Sequence, residues 1–499
     1  MSLARLISRG QSGLTAFEVA VEVHLAGGLP SFAITGLPTA AVRESRDRVR
    51  AALHTSGLPI PASRITAHLG PADVPKDGGR FDLAIALGVV KAAGKLAWNL
   101  DDTEFIGELA LGGELRPVTG ALPAVLAARA AKRRMILPAA NADEAALVED
   151  AEVYYASHLN EVMDHLNGSA GLPRVTPRKP PRARLRAADL SDVRGHAAAK
   201  RALTVAAAGG HNLLMVGPPG SGKSMLAERL RGLIPPLDWE SALRVASIAS
   251  VAGDRSALIN GIDPPFRAPH HTTSAHALVG GGSRPRPGEV SLAHCGVLFL
   301  DELAEFSRVA LEALREPMES GVVRISRVRE QVSFPARFQL VAAMNPCPCG
   351  YLGDGTDRCR CSLTRLQQYQ GRVSGPLLDR FDLHIEVPQV SFGDLASDSA
   401  RGESAELGQR IAAAREQQLA RDGCLNAHLD DASVWRAVPL DRDSRALLKQ
   451  AVEKWQLSAR GAVRVLKSAR TIADLDGTAK PGVSHLAEAL QMRCLDRTR

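Results

Sequence analysis

Between the apolar run Asn212-Leu213-Leu214-Met215-Val216 and the helix-like run Met225-Leu226-Ala227-Glu228-Arg229-Leu230 lies Gly217-Pro218-Pro219-Gly220-Ser221-Gly222-Lys223-Ser224. This segment satisfies G-x-x-x-x-G-K-[ST] at every fixed position, in the order strand, glycine loop, helix that gives the pattern its structural meaning. It commits the surrounding chain to an α/β arrangement in which a buried strand feeds a helix. The glycines let backbone N–H groups curl around a triphosphate, and the helix N-terminus adds its partial positive charge. Lys223 is placed to reach the β- and γ-phosphates, and Ser224 to offer its hydroxyl to Mg²⁺. The bland alternative is a glycine-rich turn that binds nothing, and the intact flanks weigh against it. Gly217 to Ser224 are therefore the candidate nucleotide-binding residues.

At 499 residues the chain has room for about three domains. Hydrophobic residues make up 45% and charged residues 23%, as in ordinary globular proteins. Aromatics are only 4%, so the core must rest on Ala, Leu and Val. The net charge of +7 permits nucleic-acid binding without requiring it. No apolar run is long enough for a membrane span, and Met1 to Arg9 has no secretory core. Seven cysteines, four of them clustered, point to a reducing cytoplasm and a candidate metal site rather than to disulfides.

Residues 1–167 alternate short apolar runs with Gly/Pro turns, as in Ala16-Phe17-Glu18-Val19-Ala20-Val21-Glu22-Val23, and predict helices over Ala40 to Ser56 and Phe81 to Ala92. This is a mixed α/β pattern. Residues 168–188 are rich in Pro, Arg and Gly and predict an extended cationic linker. Residues 189–395 carry the phosphate loop. Residues 396–499 predict helices over Ala405 to Arg421, Ser444 to Lys454, Ser458 to Leu475 and His485 to Cys494.

Val297-Leu298-Phe299-Leu300 is a second buried strand, ending in Asp301-Glu302. After a phosphate loop, such an Asp holds Mg²⁺ through water and the following Glu polarises the attacking water. Phe338 to Met344 ends at Asn345, a candidate sensor of the γ-phosphate or the lytic water; taken alone, the residue favours the alternative of an Asn that only opens the turn before Pro346. Arg380, in Pro376-Leu377-Leu378-Asp379-Arg380-Phe381-Asp382, is a candidate arginine finger presented to a neighbouring subunit. Arg460, at the start of a helix, is a second candidate for the phosphates. A structural salt bridge is the alternative for either arginine.

That order of parts resembles an AAA+ ATPase of the branch containing magnesium-chelatase subunits and MCM helicases, and more closely the Mg-chelatase-like family of bacterial YifB and ComM proteins. The matching text includes Phe266-Arg267-Ala268-Pro269-His270-His271-Thr272-Thr273-Ser274, Val279 to Gly282 and Pro287-Gly288-Glu289-Val290-Ser291-Leu292-Ala293-His294. It continues with Asn345-Pro346-Cys347-Pro348-Cys349-Gly350 and Ala469-Arg470-Thr471-Ile472-Ala473-Asp474-Leu475. The resemblance implies an AAA+ core with a parallel sheet, a C-terminal helical lid, ATP and Mg²⁺ as ligands, and a homo-hexameric ring. It implies two insertions lining the pore, one holding His276 and the turn from Gly280 to Pro287, the other carrying Arg324, Arg327 and Arg329. Read directly, that second segment alternates apolar and basic residues, which suits DNA phosphate contact or a solvated edge strand.

Cys347, Cys349, Cys359 and Cys361 form C-x-C, nine residues, C-x-C, the ligand number of a closed Zn²⁺ site. Plain reduced thiols in a loop are the alternative. The N-terminal region resembles the proteolytic domain of Lon and the C-terminal domain of RadA, through Gly70-Pro71-Ala72-Asp73-Val74-Pro75-Lys76-Asp77-Gly78-Gly79-Arg80-Phe81-Asp82-Leu83 and Leu115 to Gly120. Lon-type peptidases need a Ser nucleophile and a Lys base. Arg80 and Leu122 stand where that motif carries them, so the resemblance implies a non-proteolytic module suited to ring assembly or DNA. Three functions remain open: a hexameric motor driving branch migration of single-stranded and branched DNA, as in natural transformation and with recombinases as candidate partners; a chelatase-type motor; and a MoxR-like protein remodeller.

Overall fold

The computed structural model describes residues 2–58, 60–96, 101–178, 189–254, 261–282, 285–327, 330–353, 355, 357–390, 393 and 403–496. The chain divides into two compact units, Met1–Pro181 with Leu243–Gly261, and Arg182–Ala242 with Ile262–Arg499.

The first unit is built on a seven-stranded mixed sheet. Strand Thr15–Ala26 alternates buried and exposed positions, turning Val19, Val21, Val23 and Leu25 into the core, as the period of two dictates. It pairs antiparallel with Ser2–Ser12 and Arg64–Gly70. Beyond Ser2–Ser12 lie the parallel strands Thr103–Phe105, Arg134–Pro138 and Val153–Ala156. Helix Asp82–Ala92 is apolar on nearly every face and buried along almost its whole length, the behaviour expected of a helix without a polar stripe. Each large side chain it buries contributes about 1.5–3 kcal/mol. Arg9 meets Glu104 with two parallel N–H···O bonds in a buried pair that Arg133 also joins.

The sequence placed the end of this unit too early. Val175 is buried and donates its N–H to Val153 O, so the chain beyond Leu166 still adds to the unit's core. Residues 179–188 of the expected linker, and the expected boundary near 395, lie outside the described residues. Leu243–Gly261 also belongs to this unit: Ser250 accepts from Gly120 N–H, its hydroxyl reaches Glu144, and Leu122 N–H donates to that hydroxyl. Hydrogen bonds between residues more than a hundred positions apart leave no local signal in the sequence.

The second unit holds a five-stranded, all-parallel sheet in the order Phe266–Arg267, Val297–Leu300, Gln339–Met344, Leu213–Val216, Leu383–Glu386. Its central strands are buried throughout, as helices on both faces of a parallel sheet require. Helices Glu403–Asp422, Arg442–Trp455, Ala459–Leu475 and Val483–Gln491 match the expected helical region to within a few residues. They share one apolar cluster with the sheet. Among the described residues no helix is long and apolar enough to cross a membrane.

A charged knot fastens helix Ala459–Leu475 to the sheet. Asp382, 1% exposed, pairs with Arg464 and accepts from Asn212 N–H at 2.9 Å. His211 lies against it and against Thr471. Burial alone would raise the Asp382 pKa, yet Arg464 and His211 hold it well below the ordinary carboxylate range. The stability this provides is present above the usual carboxylate pKa and is lost as pH falls below it. Asp382→Asn leaves Arg464 without its counter-charge and should cost about 3–5 kcal/mol. Urea unfolding of the second unit checks this, and the deficit should shrink as the pH approaches 3.

Candidate nucleotide site and its arginine partners

Register decides what meets at the carboxyl edge of the parallel sheet. Val216 pairs with Met344, and Leu300 with Ala342, so Gly217, Asp301-Glu302 and Asn345 leave the sheet side by side. Such edges are where open α/β sheets bind ligands. Helix Lys223–Leu233 starts directly from the loop. Gly220 and Gly222 have φ of +74° and +86°, a backbone that side-chain-bearing residues rarely adopt.

Lys223 is 8% exposed. Its Nζ donates to Gly217 O at 2.7 Å, Pro218 O at 2.8 Å and Asn345 Oδ1 at 3.3 Å. Burial lowers its pKa and Asp301 opposes the shift. Ser224 Oγ donates to Asp301 Oδ2 at 2.5 Å. Ser221 Oγ is buried without a hydrogen-bond partner among the described residues. A cationic amine, a hydroxyl on a carboxylate, an orphaned buried hydroxyl and a helix N-terminus form a set that suits a Mg²⁺-triphosphate.

Glu302 stands at φ +52°, a left-handed conformation that costs a non-glycine residue on the order of 1 kcal/mol. Its amide donates to Asp301 Oδ1 at 2.9 Å, and its Oε2 lies 2.9 Å from His271 Nδ1. His271 follows strand Phe266–Arg267 at the sheet edge. Sequence reading quoted its motif yet gave it no role, because the contact depends on which strands are neighbours.

Arg380 and Arg460 belong to another set of contacts. Arg380 donates to Pro376 O and to Glu319 Oε1, each at 2.6 Å, and Arg460 Nη1 lies 3.4 Å from the same Glu319 oxygen. Among the described residues no hydrogen bond joins either arginine to Lys223, Ser224, Asp301, Glu302 or Asn345. Sequence reading missed Glu319 because nothing in its local text separates it from any other helical glutamate.

The four sulfurs of Cys347, Cys349, Cys359 and Cys361 lie within 4.8 Å of one another, with Cys347 at 3.3 Å from Cys349 and 3.8 Å from Cys359. Tetrahedral Zn–S bonds of about 2.3 Å require sulfurs roughly 3.8 Å apart, so the donor set fits zinc. The Tyr351 backbone amide brings the Cys349 thiol down to about 6, in reach of the thiolate that metals bind. Gly350 stands at φ +86°, and a Cβ there would come 2.5 Å from Pro219 Cδ. The cysteine loop thus rests directly on the phosphate loop.

The hairpin Val322–Arg327/Glu330–Pro335 carries Arg324, which is exposed and 3.9 Å from Glu316. Arg327 ends its first strand, while Arg329 lies outside the described residues, as do residues 283 and 284 of the other insertion. His276 belongs to helix Ala275–Val279 and lines a cavity of about 420 Å³ with Gly280 to Gly282, Arg286, Pro287 and Gly288.

Three family models match in succession: subunit ChlI of Mg-chelatase over residues 21–141, magnesium chelatase subunit ChlI over 189–395, and its C-terminal part over 401–493. The chain is 48% identical to the competence protein ComM of Haemophilus influenzae, covering all of this chain and 98% of that one. The chain belongs to the magnesium-chelatase-like ComM/YifB family. The YifB protein of Escherichia coli is 46% identical over the full length of this chain. The chloroplast magnesium-chelatase subunit ChlI of tobacco is 26% identical over only 41% of it. A ComM/YifB-type chain therefore shares its whole length with bacterial relatives and less than half with that chelatase subunit.

Proposed function

We propose that this chain is an ATP-hydrolysing AAA+ motor that assembles as a hexamer and drives branch migration of recombination intermediates in natural transformation. The observation that carries the hydrolytic part is the meeting of Lys223, Ser224–Asp301, Glu302 and Asn345 at one sheet edge. The DNA part rests on the full-length likeness to a protein named for competence and on the basic hairpin at Arg324. In this reading Lys223 leaves the loop carbonyls to grip the β- and γ-phosphates, and Asn345 orients the γ-phosphate or the water. Ser224 and, through water, Asp301 would hold Mg²⁺, which neutralises phosphate charge when bound. Glu302 takes a proton from the attacking water, and His271 aims its carboxylate. Arg380 reaches the nucleotide of a neighbouring subunit, and Arg460 joins it. The four cysteines hold one structural Zn²⁺ that braces the phosphate loop through Gly350.

Lys223→Ala should abolish both nucleotide binding and hydrolysis. Glu302→Gln should bind nucleotide normally yet lose turnover by about 10²–10⁴-fold, the usual contribution of a general base. Equilibrium binding of a fluorescent ATP analogue beside a phosphate-release assay separates the two. Near wild-type turnover in Glu302→Gln would remove Glu302 as the base.

Metal analysis of protein purified without chelator should find one zinc per chain, lost in Cys359→Ser with Cys361→Ser. A metal-free wild type that folds and hydrolyses ATP normally would sink the zinc assignment.

DNA contact through phosphates makes binding largely independent of sequence and steeply weakened by salt. Replacing Arg324, Arg327 and Arg329 together by Ala should remove most of the DNA-stimulated increment in ATP hydrolysis. If single-stranded, duplex and branched DNA all fail to bind or stimulate the assembled protein at low salt, while a protein client does stimulate it, the remodelling function replaces this one.

A further inference from the structure

Two arginines that belong to one proposed catalytic event converge on a single carboxylate. Glu319 lies near the end of helix Arg315–Ser320. Its Oε1 accepts from Arg380 Nη2 and lies within ion-pair distance of Arg460 Nη1. Arg380 is only 6% exposed, and its Nε is buried with no hydrogen-bond partner among the described residues. Beside it opens a cavity of about 360 Å³ lined by Glu312, Arg315, Glu316, Glu319, Ser320 and Arg380. Burial lowers the Arg380 pKa; Glu319 counters it, while Arg315, Arg460 and Arg464 add to the lowering. Arg380 is thus a cation crowded by other cations, with Glu319 as its salt-bridge partner.

The two arginines are also tied mechanically. Arg464, one turn after Arg460 on helix Ala459–Leu475, is bonded to Asp382, two residues after Arg380. One side of this arrangement is rigid and the other is not: the Asp382 side chain is 2% exposed, whereas that of Glu319 is 50% exposed. A half-exposed carboxylate recovers its hydration when it swings away, so releasing it costs little. A phosphate group offers the same guanidiniums more charge and more acceptor oxygens.

We propose that Glu319 is a positioning residue that stands in for phosphate between turnovers, holding Arg380 and Arg460 together as one charge-compensated unit. It gives them up to the γ-phosphate of a nucleotide bound on a second copy of this chain. This rests on the reading of Arg380 as a residue acting in trans. Competition is the consequence. The carboxylate must be displaced before both arginines engage, so it raises the nucleotide concentration the motor needs while sparing the arginines the cost of standing uncompensated.

The test uses the full-length assembled protein and ATP. Glu319→Gln keeps the shape and an acceptor oxygen but removes the charge, and should lower KM for ATP by about two- to fivefold, the scale of a partly exposed ion pair. Glu319→Ala should move KM in the same direction, and Glu319→Asp, which keeps the charge, should return it toward the wild-type value. In an Arg380→Ala, Arg460→Ala background, where turnover is lost, Glu319→Gln should leave the equilibrium affinity for a fluorescent ATP analogue unchanged. An unchanged or raised KM in both Glu319→Gln and Glu319→Ala overturns the proposal, as does an equal gain in analogue affinity with and without the two arginines. Mixing Arg380→Ala with Lys223→Ala subunits tests the underlying reading separately. Restored hydrolysis upholds action in trans whatever Glu319 does, whereas mixtures that stay inactive remove that reading and this proposal with it.

Discussion

Backbone pairing of four residues, Leu213–Val216, with Gln339–Met344 on one side and Leu383–Glu386 on the other is what the rest of the second unit depends on. Parallel strands in this register end at one level, so three loops far apart in sequence deliver Lys223, Asp301-Glu302 and Asn345 to one edge. A slip of one residue would turn each buried side chain to the opposite face. The charged knot at Asp382 secures the third strand of that pairing to helix Ala459–Leu475, and through it sets where Arg460 and Arg464 stand.

Much of this was legible in the sequence because the signals are local. The phosphate loop declares itself through glycines at positions of positive φ, and the strands before Gly217 and Asp301 through unbroken apolar runs. The C-terminal helices are legible through periodicity and caps, such as Ser458 accepting from Gly461 N–H. What escaped depends on distant partners. His271 meets Glu302 only because Phe266–Arg267 pairs with Val297–Leu300. Glu319 matters only because helix Ala459–Leu475 returns Arg460 to it. Leu243–Gly261 reads as part of the ATPase region by position, yet its hydrogen bonds run to Gly120, Leu122 and Glu144.

In the first unit, Arg80 and Leu122, which the sequence resemblance set against a peptidase's Ser and Lys, are both buried. Arg80 is buried, with its guanidinium bonded to Thr119 O and near Arg9 O, and burial brings its pKa down to about 10. Leu122 is packed into the apolar cluster around Val125 and Leu137. Neither position carries a hydroxyl or an amine, and the space is filled rather than open.

With Glu302 as the base proposed above, robustness and turnover oppose one another at this residue. Glycine or asparagine would suit a backbone at φ +52° better than glutamate does, and either would gain on the order of 1 kcal/mol from that fit. Neither carries a carboxylate able to accept a proton. A search for thermally hardened variants would therefore be drawn to this residue and would return proteins that grip nucleotide but cannot spend it. On that proposal the strained turn is kept for the chemistry it would serve, and hardening this chain has to be sought elsewhere.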